Sequence, residues 1–561
     1  MKESLQEEPI HTDTVALLRS LLDSISHVQI FKGKWSLIKV KLATLETRLS
    51  EISVSSAAEN PLSFDLLQSL SATCSAAAFL SSLCHESTLQ GGKLKTQNDI
   101  DSLSAKLDAH INDLGVLVRS GNFLASEHRK SVSSSMSVVD SSRRESVRAE
   151  AKNLTTRLQI GSTESKNSTL DLLLGLLQED DKNVMIAVAQ GIVPVLVRLL
   201  DSSSSSEIKE RAVTAIAKIS TVDSSKHVLL AEGLVLLNNL LRVLESGSIF
   251  AKEKSCIALI ALSNSKENAR AIGSRGGISS LLEICREGTL ISQAVAAVVL
   301  RNLSVFTEIK ENFVEENAVL TLLALCNSGT ALALENSIGC LCNLVSGDDD
   351  LKLFVAREVG IENLKILLDS APTAQNLEVV VQFVRTLASC SNIAEFLAAN
   401  GFLNLVVGAL SFGAMRVRIA AAKAVYDLAY SSKTKKELGE IGCIAPLVKM
   451  LDGKAVEEKE AAAKALSTLM NYAGNRKILR KEEKGIVSVV ILLDPSVQNL
   501  DKKFLLSTLA SLVHSKKCRK QMVAARAGDY LQKLVDLDVE GAKSLVDSLG
   551  RGKLWGVFAK H

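Results

Sequence analysis

The sequence predicts an all-α protein in which an N-terminal helical bundle precedes an array of helical repeats. Composition is the first observation: 47% of the 561 residues are hydrophobic but only 4% are aromatic, and six are proline. So few prolines leave long stretches free to be helical, because proline removes a backbone donor and clashes inside a helix. Apolar residues also recur every three or four positions, and one phrase returns about every 42 residues.

Residues 1–125 show the helical spacing but not the repeat. Three sets of apolar residues share helical faces: Leu17, Leu21, Leu22 and Ile25; Leu42, Leu45, Leu49 and Ile52; and Ile100, Leu103, Leu107, Ile111, Leu114 and Val118. A further apolar segment lies near 62–84, and Pro61 and Gly91-Gly92 separate the helical stretches. This pattern predicts a small antiparallel helical bundle.

The segment 126–150 is predicted to be a basic, serine-rich linker, because its composition cannot bury a core. Arg143 and Arg144 precede Ser146 at the −3 and −2 positions, which is a pattern that basophilic kinases read. We therefore expect Ser146 to be a regulatory phosphorylation site, with Ser131 as the second candidate.

Residues 151–540 are predicted to form about eight or nine repeats. A turn residue followed by an apolar helix recurs at Gly191, Gly233, Gly277, Asn317, Gly360, Gly401, Gly442, Gly485 and Gly528. Glycine allows one short helix to end in a left-handed turn and the next to begin at a steep angle, and asparagine tolerates this region. Successive turn residues are 40 to 44 positions apart, a period typical of armadillo and HEAT arrays.

A second helical phrase follows each turn and predicts the third helix of every unit. Its polar position is occupied by Asn302, Asn343 and Asp427 in three of the units. Alanine triplets at 420–422 and 461–463 permit close helix packing.

These residues resemble the armadillo family over about residues 160–530. The resemblance implies a right-handed superhelix (an α-solenoid) whose third helices line a concave, protein-binding groove. The bundle followed by repeats also resembles plant U-box armadillo ubiquitin ligases. No U-box motif is found between bundle and array, so the chain is similar to the plant armadillo-repeat-only proteins.

No sequence motif indicates an enzyme, a cofactor or a metal site. Phosphate-binding loops, nucleophile elbows and zinc-ligand spacings are missing. The GSRGG phrase at 273–277 falls on a repeat turn, and Asp348-Asp349-Asp350 falls at a repeat junction, where a solvated loop is the simpler interpretation. In the importin-α branch of the family, tryptophans on the third helices clamp basic peptides; here both tryptophans, Trp35 and Trp555, lie outside the array. We therefore expect a non-enzymatic scaffold or adaptor.

Charge along the array indicates what kind of partner it binds. Residues 300–370 contain eleven acids and five bases, whereas residues 410–485 contain fifteen bases and nine acids. Lys423 and Lys464 occupy equivalent positions on adjacent third helices, so we expect them, with Asn302, Asn343 and Asp427, to contact an acidic or extended peptide. Solvated faces of exposed helices explain the same charges. A substrate-recognition or regulatory subunit of an enzyme assembly, such as a ubiquitin ligase, is the alternative function.

The remaining expectations concern partners and location. The net charge of +3 is too small to predict nucleic acid as a partner. No signal peptide or transmembrane helix is expected, and the ten cysteines are expected to be reduced core residues, which suits the cytoplasm or the nucleus. Residues 541–561 are expected to form a basic C-terminal tail. The sequence does not indicate an oligomeric state.

Overall fold

The computed structural model describes residues 10–50, 61–85, 93–120, 137–201, 204–369, 371 and 373–550. All regular elements in these ranges are helices, which confirms the all-α prediction. Contacts divide the chain into two compact units, Met1–Leu262 and Ser263–His561, and each is described by itself. The domain boundaries proposed from the sequence stay predictions, except where a helix contradicts them. Residues 137–150 are helical where a linker was predicted, and the helix Ala542–Gly550, with Leu545 and Leu549 buried, occupies the first part of the predicted tail.

Unit 1 begins with four helices that share one core. They are α1 (Ile10–Ile25), α2 (Lys32–Ser50), α3 (Pro61–Leu83) and α4 (Lys93–Ser120). Helix α1 packs on α2 and α3, and α4 packs on the same two helices. Trp35, Leu42, Leu70 and Leu107 are fully buried between them, as expected for apolar residues spaced at three and four.

Part of α3 is apolar enough to cross a membrane by length and composition. The segment Leu66–Leu83 has a mean hydropathy of 1.3, and 33% of it is buried. The sequence expectation of no transmembrane helix rested on polar breaks, and this window contains Gln68 and several serines. In the described residues, four pairs of consecutive helices pass the same test only when joined, and each pair is bent by 86° to 112°.

Helix α5 (Ser137–Ile160) corrects the linker prediction for residues 137–150. Val147, Ala151, Leu154 and Leu158 form a buried stripe at helical spacing, which Thr155 and Thr156 extend, while the charged residues between Val147 and Leu154 are exposed. Composition alone hid this stripe because serine and arginine outnumber the apolar residues. The helix packs on α4 and on the first helices of the array.

The rest of unit 1 consists of helix α6 and two three-helix repeats. These helices are α6 (Thr163–Glu179), α7 (Asp181–Ala189), α8 (Ile192–Leu199), α9 (Ser206–Ser220), α10 (Lys226–Ala231), α11 (Gly233–Ser246) and α12 (Ile249–Leu262), with a 3₁₀ turn, Asp223–Ser225, before α10.

Unit 2 contains seven more three-helix repeats in its described residues. Their first helices are α13 (Lys266–Ser274), α16 (Lys310–Glu315), α19 (Asp349–Val359), α22 (Ser391–Ala399), α25 (Ser432–Ile441), α28 (Ala473–Leu479) and α31 (Lys516–Ala524). Their second helices are α14 (Gly277–Glu287), α17 (Ala318–Ser328), α20 (Ile361–Asp369), α23 (Phe402–Ala409), α26 (Ile444–Leu451), α29 (Gly485–Ile491) and α32 (Ala527–Asp536). Their third helices are α15 (Leu290–Ser304), α18 (Ala331–Val345), α21 (Ala374–Ala388), α24 (Met415–Leu428), α27 (Val456–Leu469), α30 (Lys502–Leu512) and α33 (Ala542–Gly550).

The second helix of every repeat begins within two residues of its predicted turn. Asn317 adopts the left-handed conformation (φ 53°), as Gly401 does (φ 87°). The structure shifts two turns: Gly276 and Arg526 have positive φ, not Gly277 and Gly528. Gly485 begins α29 without a positive φ, because the preceding turn ends at Lys484 with φ −97°. The glycine pattern therefore predicted where the chain turns more reliably than which residue carries the turn.

Each third helix of unit 2 packs on the third helix of the next repeat. Both alanine triplets are buried at these contacts, since small side chains let neighbouring helices approach closely. The row is therefore continuous from α15 to α33, and its exposed side is called the third-helix face below.

Candidate functional site

Asn343 links two consecutive third helices, and Asn302 makes a similar hydrogen bond within unit 2. The Asn302 Nδ2 group donates to Ser263 Oγ at 3.0 Å, and Asn343 Nδ2 donates to Ser304 Oγ at the same distance. Both asparagines are half-buried. Each side-chain amide therefore uses a hydrogen-bond donor within the chain. A role of these asparagines in partner binding stays a prediction and would use the other polar atoms of the amides.

The predicted binding residue Asp427 forms an ion pair across two repeats. Its carboxylate accepts from Arg385 Nε on the preceding third helix at 2.8 Å. Arg418 and Glu458 repeat this arrangement one step further along, at 2.7 Å, and the Glu458 side chain is only 4% exposed. In both pairs an arginine neutralises an acid of the following repeat, so these carboxylates do not offset the nearby lysines.

Lys464 lies between two aromatic rings from neighbouring third helices. Its Nζ is 4.4 Å from the ring centre of Tyr426 on α24 and 5.8 Å from that of Phe504 on α30. Ammonium groups within about 6 Å of an aromatic face are attracted by the ring quadrupole. The rings therefore hold the Lys464 ammonium in one place while leaving its charge unneutralised.

Lys423 is one turn before Tyr426 on α24. Both Lys423 and Lys464 are half-buried, whereas the predicted contact with a peptide implies exposed side chains. The difference arises because long lysine stems pack along neighbouring apolar surface and expose mainly the charged end. Within the described residues, Lys423 has no hydrogen bond and no ion pair.

The aromatic residues were missed by the sequence reasoning. Tyr426 follows the Lys423 position by one turn, and Phe504 precedes the equivalent position of its own repeat, Ser507, by one turn. The contact with Lys464 is diagonal across three helices, so a comparison of one position per repeat does not detect it. An aromatic residue one turn from a repeated lysine is the signal that could have found it.

A cavity of about 710 Å³ continues this part of the face toward the C-terminus. Its lining includes Tyr426, Thr468, Lys503, Phe504 and Glu540. Lys503 Nζ lies 5.0 Å from the Phe504 ring centre and 2.9 Å from the Asp501 carboxylate, and the hydrogen bond to Asp501 raises the pKa of Lys503. The lysine that remains unpaired beside this cavity is therefore Lys464.

The phosphorylation candidates differ in what the structure says of them. Ser146 is exposed on α5, between Arg143 and Arg148, which are also exposed. Helical backbone changes the premise of the prediction, because a kinase that reads an extended segment would require α5 to unfold locally. Ser131 lies outside the described residues. Modification of either serine stays a prediction.

The cysteines are core residues. Nine are buried and Cys342 is partly buried. Burial raises the pKa of Cys285, Cys326, Cys340 and Cys342 to about 12, so these thiols are neutral at physiological pH. In the part of the chain that the structure describes, no cluster of three metal-ligating side chains occurs.

Two family models match parts of the chain. The domain of unknown function DUF7032 matches residues 12–122, which span α1 to α4. The armadillo/β-catenin-like repeat matches residues 180–221, which contain one complete three-helix repeat, α7 to α9.

Similar proteins agree with the repeat assignment. The U-box domain-containing protein 12 of Arabidopsis thaliana is 33% identical over 100 residues, which are 18% of this chain and 15% of that protein. The chain thus matches only a small part of the relative's length. A crystal structure of an engineered protein, 22% identical, matches with a TM-score of 0.62 over 72% of this chain and 99% of its own. Together with the repeats described above, these matches support an armadillo-type family, and they show an all-α repeat fold.

Proposed function

We propose that the protein is a non-enzymatic scaffold that binds an extended acidic segment of a partner protein on the third-helix face around Lys423 and Lys464. Armadillo-type repeats fit a protein-interaction role, and the family matches include no enzymatic domain. The observation that carries the proposal is the Lys464 ammonium held between Tyr426 and Phe504 without an acidic partner among the described residues.

Charge pairing on this face favours an anionic ligand. Asp427 of α24 and Glu458 of α27 are already bound by arginines of the preceding third helices, Arg385 and Arg418. These two carboxylates therefore compete little with an incoming carboxylate for Lys423 and Lys464.

Spacing favours an extended segment. Lys423 and Lys464 are 41 positions apart, as Gly401 and Gly442 are, so they are equivalent residues of adjacent repeats. Packed helices lie about 8–10 Å apart. An extended chain rises about 3.3 Å per residue, so acidic residues three positions apart match both lysines. The Tyr426 and Phe504 rings then flank the aliphatic part of the intervening residues.

A second role has one observation in its favour. The similarity to a U-box domain-containing protein supports a chain that supplies substrate recognition or regulation to a ubiquitin-ligase assembly. This role uses the same face, so the same variants test it once an enzyme partner co-purifies.

The test is binding of labelled acidic peptides at low salt, measured by fluorescence anisotropy on the full-length protein. Peptides carrying two glutamates three positions apart should bind more tightly than peptides of the same composition with adjacent glutamates. Lys423→Glu with Lys464→Glu should weaken binding by roughly tenfold to a hundredfold, since each exposed ion pair contributes about 0.2–1 kcal/mol and reversal adds repulsion.

A matched control carries the same charge change elsewhere. Lys449 and Lys454 are exposed near the second helix α26, so Lys449→Glu with Lys454→Glu should leave the affinity unchanged. Equal losses in both variants would show that net charge, and not this face, sets the affinity. Unchanged binding in the face variant would place the binding surface elsewhere.

A further inference from the structure

The first helices of three late repeats carry an unusual density of basic residues. Helices α25 and α31 and the segment 473–481 that contains α28 hold eleven lysines and arginines against two glutamates. The basic residues are Lys433, Lys435, Lys436, Arg476, Lys477, Arg480, Lys481, Lys516, Lys517, Arg519 and Lys520. These segments are called the basic edge.

The basic edge is a continuous surface. Asn475 on α28 is buried and donates from Nδ2 to the Lys435 carbonyl of α25 at 2.7 Å. Arg480 Nη1, just beyond α28, donates to Ser515 Oγ at the start of α31 at 3.4 Å. The three first helices are therefore fixed side by side, and their cations lie along one edge of unit 2.

Acidic partners are nearly missing from this edge. Among the described residues, the only ion pair made by its basic side chains is Lys436 with Glu440, at 3.8 Å. Earlier first helices of unit 2 differ: Lys266 and Arg270 both contact Glu308 of the next repeat, and Lys310 contacts Asp348 at 3.3 Å. Cations at the start of unit 2 are neutralised within the chain, and those of the basic edge are left for an external anion.

A cavity of about 610 Å³ lies in the basic edge between α28 and α31. Arg476, Lys477, Arg480 and His514 line it, together with the hydroxyl groups of three serines, and no acidic residue does. The serines are Ser507, Ser511 and Ser515. Arginine, lysine and hydroxyl donors converging without a carboxylate are the groups that bind phosphate oxygens.

We propose that the basic edge binds the surface of an anionic membrane, with a phosphorylated lipid headgroup in the cavity between α28 and α31. Lysines spread over three helices suit an extended anionic surface better than a single small ligand, which would need only the cavity. Single-stranded nucleic acid is disfavoured because no Phe, Tyr or Trp lines the cavity, and His514 is the one ring among its described lining residues, too few for successive bases to stack. The cavity adjoins the third-helix face, because Ser507, Ala510 and His514 line both this cavity and the cavity beside Lys464. Lys477 lines only the cavity of the basic edge, and Lys517 lines neither.

Vesicle co-sedimentation of the full-length protein tests the proposal. The protein should bind phosphatidylcholine vesicles that contain about 20% phosphatidylserine, bind more tightly when about 5% phosphatidylinositol bisphosphate is added, and ignore neutral vesicles. Lys477→Glu with Lys517→Glu, both at exposed positions, should lower binding roughly tenfold or more. Lys449→Glu with Lys454→Glu is the control and should bind as the wild type does.

Further arms identify the ligand. His514→Glu places an acid in the cavity and should remove the preference for the bisphosphate lipid while retaining binding to phosphatidylserine.

Inositol hexakisphosphate should compete with the bisphosphate headgroup for the cavity and so remove the same preference. If it removed all vesicle binding, the site would be assigned to a soluble phosphate and the membrane proposal would be overturned. Binding to RNA or DNA with no binding to vesicles would also overturn it, as would equal losses in the edge and control variants. Acidic-peptide binding should survive the edge variant, which separates this proposal from the proposed function.

Discussion

The early and late repeats of unit 2 use charge in different ways. Between α13 and α19, Lys266, Arg270 and Lys310 are each held by an acid of the following repeat. From α21 to α31, Arg385 and Arg418 of the third helices are paired with acids of the following repeat, but most lysines of the third-helix face and the basic edge are not. The basic side chains of the early repeats therefore form ion pairs that join neighbouring repeats, whereas most of those in the late repeats remain free to bind an external anion.

Some basic side chains stabilise the fold through ion pairs within the chain, and others are unpaired. Arg418 is the strongest case of the first kind, since it pairs with the buried Glu458. Arg418→Met should lower the free energy of unfolding by about 3–5 kcal/mol, because Glu458 would remain buried without its partner. Chemical denaturation of the full-length protein measures the loss. Lys436→Met, which removes the exposed pair with Glu440, should change stability by less than about 1 kcal/mol. Similar costs for the two variants would break the distinction.

Asn343 tests cohesion in the early half without charge. Asn343→Ala removes the hydrogen bond to Ser304 between two third helices and should cost about 1 kcal/mol of stability. Thermal unfolding should show a small decrease in Tm, and Asn302→Ala should behave alike because its amide makes the equivalent bond to Ser263. Acidic-peptide binding by the same two variants tests the predicted contact of Asn302 and Asn343 with a partner separately from the site around Lys423 and Lys464. Lost peptide binding in either variant would extend the proposed site into the early repeats.

Tyr426 tests how the late half keeps a lysine available. Tyr426→Leu keeps an apolar contact but removes the ring that Lys464 faces, so the ammonium loses an attraction of about 0.5–1 kcal/mol. Acidic-peptide affinity should fall two- to fivefold while the melting temperature stays close to that of the wild type. Tyr426→Phe retains the ring and should bind normally. A loss of affinity in the phenylalanine variant as well would assign the effect to the hydroxyl group.

Sequence reasoning located the repeats because their signals are local. Glycine or asparagine at a left-handed turn and an apolar run after it both lie within a few residues, so Asn317 and Gly401 were assigned correctly. Arg526 adopts the left-handed conformation although arginine has no preference for it, so the sequence placed the turn at Gly528 instead. The first part of helix α5, residues 137–150, was assigned to the linker because serines and arginines outnumber apolar residues there, and Val147 is the buried apolar residue described in it.

The candidate site was only partly predictable for a related reason. Equivalent positions identified Lys423 and Lys464, but their environment depends on side chains one repeat away, at Tyr426, Phe504 and Asp427. Pairing between helices some 40 positions apart has no fixed offset, because a side chain can reach up or down by a turn. Charge counts along the sequence therefore showed where bases exceed acids but not which bases are neutralised.

Substitution of Glu308 and Asp348 gives the test with the smallest expected effect. It should leave the basic residues of the early repeats unpaired, as they are in the late repeats. Glu308→Gln frees Lys266 and Arg270, and Asp348→Asn frees Lys310 while an asparagine still caps α19 as Asp348 does through Leu351. Vesicles containing phosphatidylserine should then bind the double variant a few-fold more tightly than the wild type.

Acidification should weaken the same ion pairs that the double variant removes. Hydrogen bonds from Lys266 and from the Leu351 backbone keep the pKa values of Glu308 and Asp348 below their usual range. Their contribution to stability is therefore present at neutral pH and is lost as the pH falls through those lowered values. The increase in vesicle affinity of the double variant should be smaller than the loss caused by Lys477→Glu with Lys517→Glu, because three freed cations are fewer than the basic residues of the edge. An unchanged affinity would mean that the arrangement of the basic edge, including its cavity, matters more than the number of unpaired cations.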